Sequence, residues 1–172
     1  MKLKSLLTVL LFTVAFTHVN AQETATAIMD KAYAQAKKEN KNVFVIFHAS
    51  WCGWCKKMEK HMESDACKKM FDDNYVTVHL TVEESPKNAS LNTPGADVLK
   101  TKYKGTDQGL PFWVILDSKG TLLADSFNDK GENLGCPADP AEVTSFTEKL
   151  KRTSKLTAAQ LATITSTFTI KK

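Results

Sequence analysis

Apolar residues recur every three to four positions in some stretches of this chain and run together in others, and the contrast divides it into elements. Residues 24–39 carry Ala25, Ile28, Met29, Ala32 and Ala36 on one side and charges on the other. That spacing predicts a helix, closed by the polar run Asn40-Lys41-Asn42. Residues 43–49, "VFVIFHA", form an apolar run rich in β-branched and aromatic side chains, as a strand buried on both faces requires. Cys55, Met58 and Met62 then recur at three and four while Lys56, Lys57, Glu59 and Lys60 face elsewhere, so a helix opens at a cysteine pair. Ser64-Asp65 starts a second short helix through Ala66, Met70 and Phe71. Residues 75–82, "YVTVHLTV", read as another strand.

The second half begins with a polar loop at 83–95 that holds two prolines. Residues 96–103 predict a short helix with Val98, Leu99 and Tyr103 inward. "GLPFWVILD" and "GTLLAD", residues 109–117 and 120–125, are strands joined by a hairpin turn at Ser118-Lys119-Gly120. Residues 126–138 form a second long loop. Asp139 as N-cap, Pro140 at the first helical position and Glu142 as box partner then mark a helix start, with Val143, Phe146 and Leu150 as its buried stripe. Thr157 and Gln160 open a last helix, and Leu156 and Leu161 are spaced for a hydrophobic staple. Residues 165–172 alternate weakly and read as a short edge strand or a frayed end. Two strands linked through a helix make a right-handed parallel crossover, and the last two make an antiparallel hairpin. The expected class is α/β, a mixed central sheet with helices on both faces, an extra N-terminal helix and a short C-terminal helical extension.

One apolar stretch stands outside this scheme. Residues 1–21 open with Lys2 and Lys4, run apolar over 6–16 and end in Val19-Asn20-Ala21. This is the pattern of a secretory signal cut between Ala21 and Gln22, and the run is short of the roughly 20 residues that a membrane span needs. The expected organisation is a signal peptide at 1–21, a domain at 22–155 and an extension at 156–172, exported to the periplasm or secreted, without stable membrane insertion. Of the 172 residues, 42% are hydrophobic and 24% charged, the balance of a soluble globular protein. The net charge of +4 is mild and its basic residues scattered, so nothing reads as a nucleic-acid footprint.

Export changes the reading of the cysteines. Cys52, Cys55, Cys67 and Cys136 all lie after the cleavage site and would meet an oxidising compartment. Four cysteines allow three full pairings, and spacing does not choose among them. The C-x-x-C at 52–55 has three candidate chemistries: electron exchange, metal binding or a structural staple. A structural zinc site wants four ligands, and only His61 and Cys67 lie just downstream, with no second pair. A short loop closed at a helix start is a poor staple.

Strand, "WCGWCK", helix, and then "GLPFWVILD" followed by a terminal helix resemble the thioredoxin family, in particular its exported single-domain members, over roughly residues 24–152. The resemblance implies a thioredoxin fold and a redox disulfide between Cys52 and Cys55, with no cofactor and no metal. It implies a cis Leu110–Pro111 bond facing the cysteines, where the backbone of Leu110 pairs with a substrate strand. It also makes Trp51 an apolar wall beside the site. The helix start supports the same assignment, because unpaired N–H groups and the positive dipole end stabilise a thiolate. Cys52 is then the nucleophile and Cys55, one turn inside, the resolver. Gly53, Trp54, Lys56 and His48 complete the site environment, with Lys56 and Lys57 adding positive potential and His48 adding more if protonated. Trp113 belongs to the sheet. Two positions depart from thioredoxin: Trp54 stands where it has proline, and Ile46 where it has a buried aspartate that handles the resolving proton. Water, His48, Glu59 or a partner group must take that role.

Cys67 reads as a small buried apolar residue, and a Cys67–Cys136 bond is disfavoured by topology. Cys136 reads as a regulatory or intermolecular thiol. The expected activity is protein thiol–disulfide exchange, reductase or isomerase rather than oxidase, with a membrane-bound electron donor or acceptor as partner. The alternative is a partner-binding module on the same scaffold, using the loops at 83–95 and 126–138 without turnover.

Overall fold

The computed structural model describes residues 22–170; the expected signal peptide at 1–21 lies outside the described residues. The elements are α1 (Ala25–Glu39), β1 (Asn42–His48), α2 (Gly53–Met62), α3 (Lys68–Asn74), β2 (Tyr75–Thr81), α4 (Ala96–Lys102), β3 (Phe112–Leu116), β4 (Leu122–Asp125), α5 (Pro140–Thr153) and α6 (Ala158–Phe168). They build one four-stranded sheet in the order β2-β1-β3-β4. β1 and β2 are parallel, whereas β3 runs antiparallel to both β1 and β4. Gly120, at φ +83°, closes the β3–β4 turn, where a Cβ would meet the Tyr33 hydroxyl at 3.2 Å.

Alternation along the central strands sends side chains into two cores. Phe44, Ile46, Trp113 and Ile115 face α2, α3, α5 and α6 and pack with Met58, Phe71, Phe146 and Phe168. Val43, Val45, Phe47, Phe112 and Val114 face α1 and α4. β1 and β3 are therefore buried on both sides, which is why their sequences read as unbroken apolar runs. The helix starts follow local chemistry. Thr24 caps α1 by accepting from Ala27 N, and the Asp139/Glu142 and Thr157/Gln160 capping boxes are both formed.

Three differences from the sequence expectation have physical causes. Residues 165–168 continue α6 rather than forming an edge strand, because Leu161, Ile164 and Phe168 fall on one helical face against the aromatic core. The threonines that suggested a strand instead return their hydroxyls to carbonyls one turn back, Thr165 to Leu161 and Thr167 to Thr163. In α4, Val98 is 69% exposed and Lys100 only 2%, since the Lys100 ammonium finds the Glu83 carboxylate and the Gln108 carbonyl. The loop at 83–95 contains a short 3-10 turn, Pro86–Leu91.

Candidate active site

β1 ends at His48, and the chain turns through Ala49, whose carbonyl accepts from Cys52 N at 3.1 Å. Cys52 is the N-cap of α2, and its Sγ accepts from Cys55 N at 3.1 Å. The two sulfurs lie at disulfide distance, 1.99 Å, with Cα atoms 5.3 Å apart. The Cys52 sulfur therefore occupies the place where the unpaired donors of a helix start converge. The first turn of α2 holds no acidic residue, so nothing there offsets that positive end. Thiol exchange calls for an accessible sulfur, yet Cys52 is only 4% exposed in this disulfide form. Leu110 packs against Ala49, Cys52 and Cys55, and that contact covers the pair.

The two flanking tryptophans take the exposure instead, Trp51 at 58% and Trp54 at 51%. Trp51 donates its indole N–H to the Glu83 carbonyl at 2.8 Å. The Lys57 ammonium sits 4.7 Å over the Trp54 ring, so Lys57 acts on an aromatic face as well as on the field. A Cβ at Gly53 would meet nothing within 4 Å, and the surface there is open. Lys56 is exposed and lines a cavity with His48.

Two loops that sequence patterning left featureless hold this arrangement. The Glu84 carboxylate is buried, accepting from Ser50 N and, at 2.8 Å, from Ser50 Oγ. Asn92 Oδ1 in turn accepts from Glu84 N. On the other side, Leu110–Pro111 is a cis peptide bond. Asn133 Nδ2 donates to the carbonyls of Gly109 and Pro111, at 2.7 and 3.2 Å. Residues 126–138 thus return to the cysteine end and leave a groove of about 610 Å³ between Trp54, Leu110, Leu134 and Cys136. Sequence reading missed Glu84, Asn133 and His79; nothing in their spacing marks them.

The remaining candidates divide. His48 is half-buried, and burial followed by the facing His79 ring, 5.4 Å away, lowers its pKa, with Glu59 and Glu84 opposing. The neutral form is favoured, so His48 adds no positive charge beside Cys52 at neutral pH. Cys67 is free and buried in the core. Cys136 is also free and buried, and burial pushes its pKa up to about 11. A thiol so held has little thiolate at neutral pH. Among the described residues, no group of three or more His, Cys, Asp or Glu is placed to hold a metal, and no helix is long and apolar enough to cross a membrane.

A C-x-x-C pair capping the helix that follows a central strand, beside a cis proline, defines a paired-cysteine site on a thioredoxin fold. A family model described as thioredoxin-like matches residues 24–118, more than half of the chain. The chain belongs to that thioredoxin-like family. Protein disulfide-isomerase A5 of Mus musculus is 49% identical over 39 residues, 23% of this chain and 8% of that protein. The chain spans only 8% of the length of the curated relatives it matches. Among solved structures, the disulphide isomerase from Xylella fastidiosa Temecula1 superposes with a TM-score of 0.49 at 20% identity, covering 63% of this chain and 75% of that one. A DsbH oxidoreductase gives 0.47 at 24% identity, covering 76% and 84%.

Proposed function

We propose that this protein is an exported thiol–disulfide oxidoreductase acting on protein disulfides through Cys52 and Cys55. The observation that carries this reading is the Cys52 sulfur capping α2, 3.1 Å from the Cys55 amide. In the reduced protein a thiolate there gains a charge-assisted hydrogen bond and the dipole end, which lowers its pKa. The Cys52 thiolate attacks a substrate disulfide, forming a mixed disulfide and expelling one substrate thiolate. Cys55, as thiolate, then attacks Cys52 Sγ, closing the pair and releasing the second substrate thiolate. Two electrons pass from the pair to the substrate, and the Leu110–Pro111 edge holds the substrate strand.

The likeness over 39 residues to a protein disulfide-isomerase supports reductase or isomerase direction over oxidase. A membrane-bound dithiol donor returns the electrons, and the leader at 1–21 carries the protein out of the cytoplasm. Reduction of insulin disulfides by wild type and Cys52→Ser tests the proposal. Turnover lost in the variant supports it, whereas no turnover in either favours a partner-binding module. The potential of the pair against glutathione reads direction: a value near −270 mV, roughly that of thioredoxin, supports the reductase, and one near about −120 mV the oxidase.

A further inference from the structure

Cys55 attacks only as a thiolate, yet it is buried against Ala49 and Leu110, and removal from water disfavours the charged sulfur. A base within reach must take its proton. Cys55 opens onto a cavity of about 380 Å³ that Ile46, His48, Lys56, Glu59 and His79 also line, room for several waters. The register explains this company. Ile46 and His48, two apart on β1, share the face that looks toward α2; Ile46 pairs with His79 on β2 and His48 with Thr81. Glu59 follows Cys55 by four residues and lies one turn along the same side of α2. Cys55 and Ile46 are buried at the inner end, whereas Lys56, Glu59 and His79 are exposed at the outer end. His48, half-buried, stands between.

We infer that His48 takes the proton of Cys55 as the mixed disulfide is resolved and passes it outward through this cavity. The inference rests on the proposed exchange activity. His48 Nε2 lies 3.3 Å from Thr81 Oγ1; with Nε2–H donating there, Nδ1 holds the free lone pair and bonds no described residue. Imidazole is a stronger base than a carboxylate and nearer in pKa to a thiol, which selects His48 over Glu59. Ile46 contributes no titratable group. In the step, the Cys55 S–H proton moves to Nδ1, directly or through one water, and the Cys55 thiolate bonds Cys52 Sγ. The Cys52–substrate bond breaks with its electron pair on the substrate sulfur, and the imidazolium releases its proton to water. The charged groups around His48 are Lys56 and Glu59 of α2, His79 of β2 and Glu84 of the following loop. Burial first, then the His79 ring, hold its pKa below 6.5 against the opposing pull of Glu59 and Glu84, so at neutral pH the ring is ready to accept.

Single-turnover mixing of the reduced protein with insulin, quenched in acid, separates the two halves of exchange. In His48→Asn, the mixed disulfide should accumulate because its resolution slows by about 10²-fold, the low end of general-base contributions. Alkylation of Cys52 by iodoacetamide should be unchanged. The wild-type resolving rate should rise with pH through an inflection below 6.5, lost in His48→Asn, and added imidazole should restore rate to His48→Ala. No accumulation, with the pH profile unaltered in the variant, overturns the inference while leaving the exchange activity standing. If the variants do not fold, a wild-type resolving rate with no such inflection overturns it equally. A wild type that forms no mixed disulfide at all removes the exchange reading itself.

Discussion

At the scale of single residues, the cysteines were legible because their chemistry depends on local spacing: two sulfurs, one helical turn, and a strand before them. Glu84 was not legible, because its role exists only where the loop after β2 folds back over Ser50. That buried carboxylate accepts two hydrogen bonds, so Glu84→Ala removes two charge-assisted bonds that tie the loop after β2 to Ser50. The expected loss is about 1–3 kcal/mol in urea unfolding, together with a changed alkylation rate at Cys52. Asn133 was hidden in the same way, since its targets are carbonyls 22 and 24 residues away in sequence. By contrast, Gly53→Ala should leave the fold intact, since a methyl there meets no neighbour within 4 Å; a circular-dichroism melt checks it.

At the scale of elements, β1, β3 and the capped starts of α5 and α6 could be read directly, for each is written in contiguous residues. The inward face of α4 could not, because Lys100 is buried by a partner 17 residues back. Nor could the length of α6, where threonine's preference for strands opposed the three-four spacing and lost to core packing. Phe168 is fully buried against Phe71, Phe146 and His61. Phe168→Ala should therefore cost about 3–5 kcal/mol by denaturant unfolding. The His61 ring it covers has a buried Nε2 without a partner among the described residues. Burial first, then Lys57 and Lys60, lowers the His61 pKa. The native state then binds fewer protons than the unfolded chain below the ordinary value of 6.5. Stability is full above that pH and falls as pH drops through it. His48 acts with the same sign, so the measurement compares unfolding at pH 7 and pH 5.5 in wild type and His61→Leu, where the slope should shrink.

At the scale of the whole molecule, one sheet separates two cores, and all four cysteines lie on or at the margin of the side that carries α2. The sequence order alone implied that sheet, but not that the loop at 126–138 would carry Leu134 and Cys136 down into the core. Cys67 is wholly enclosed and burial pushes the Cys136 thiol up, whereas Cys52 caps α2, where a thiolate is stabilised, so reduced native protein treated briefly with iodoacetamide should carry one label, on Cys52. The other sites should label only in denaturant, as peptide mass spectrometry would read. The exposed indoles that flank Cys52 have an optical consequence. A disulfide is an efficient collisional quencher of tryptophan emission, and two of the three indoles stand within two residues of this one, while Trp113 is enclosed in the sheet. Reducing the pair should brighten the fluorescence over a steady background, giving the protein a built-in gauge of its own oxidation state without an added dye.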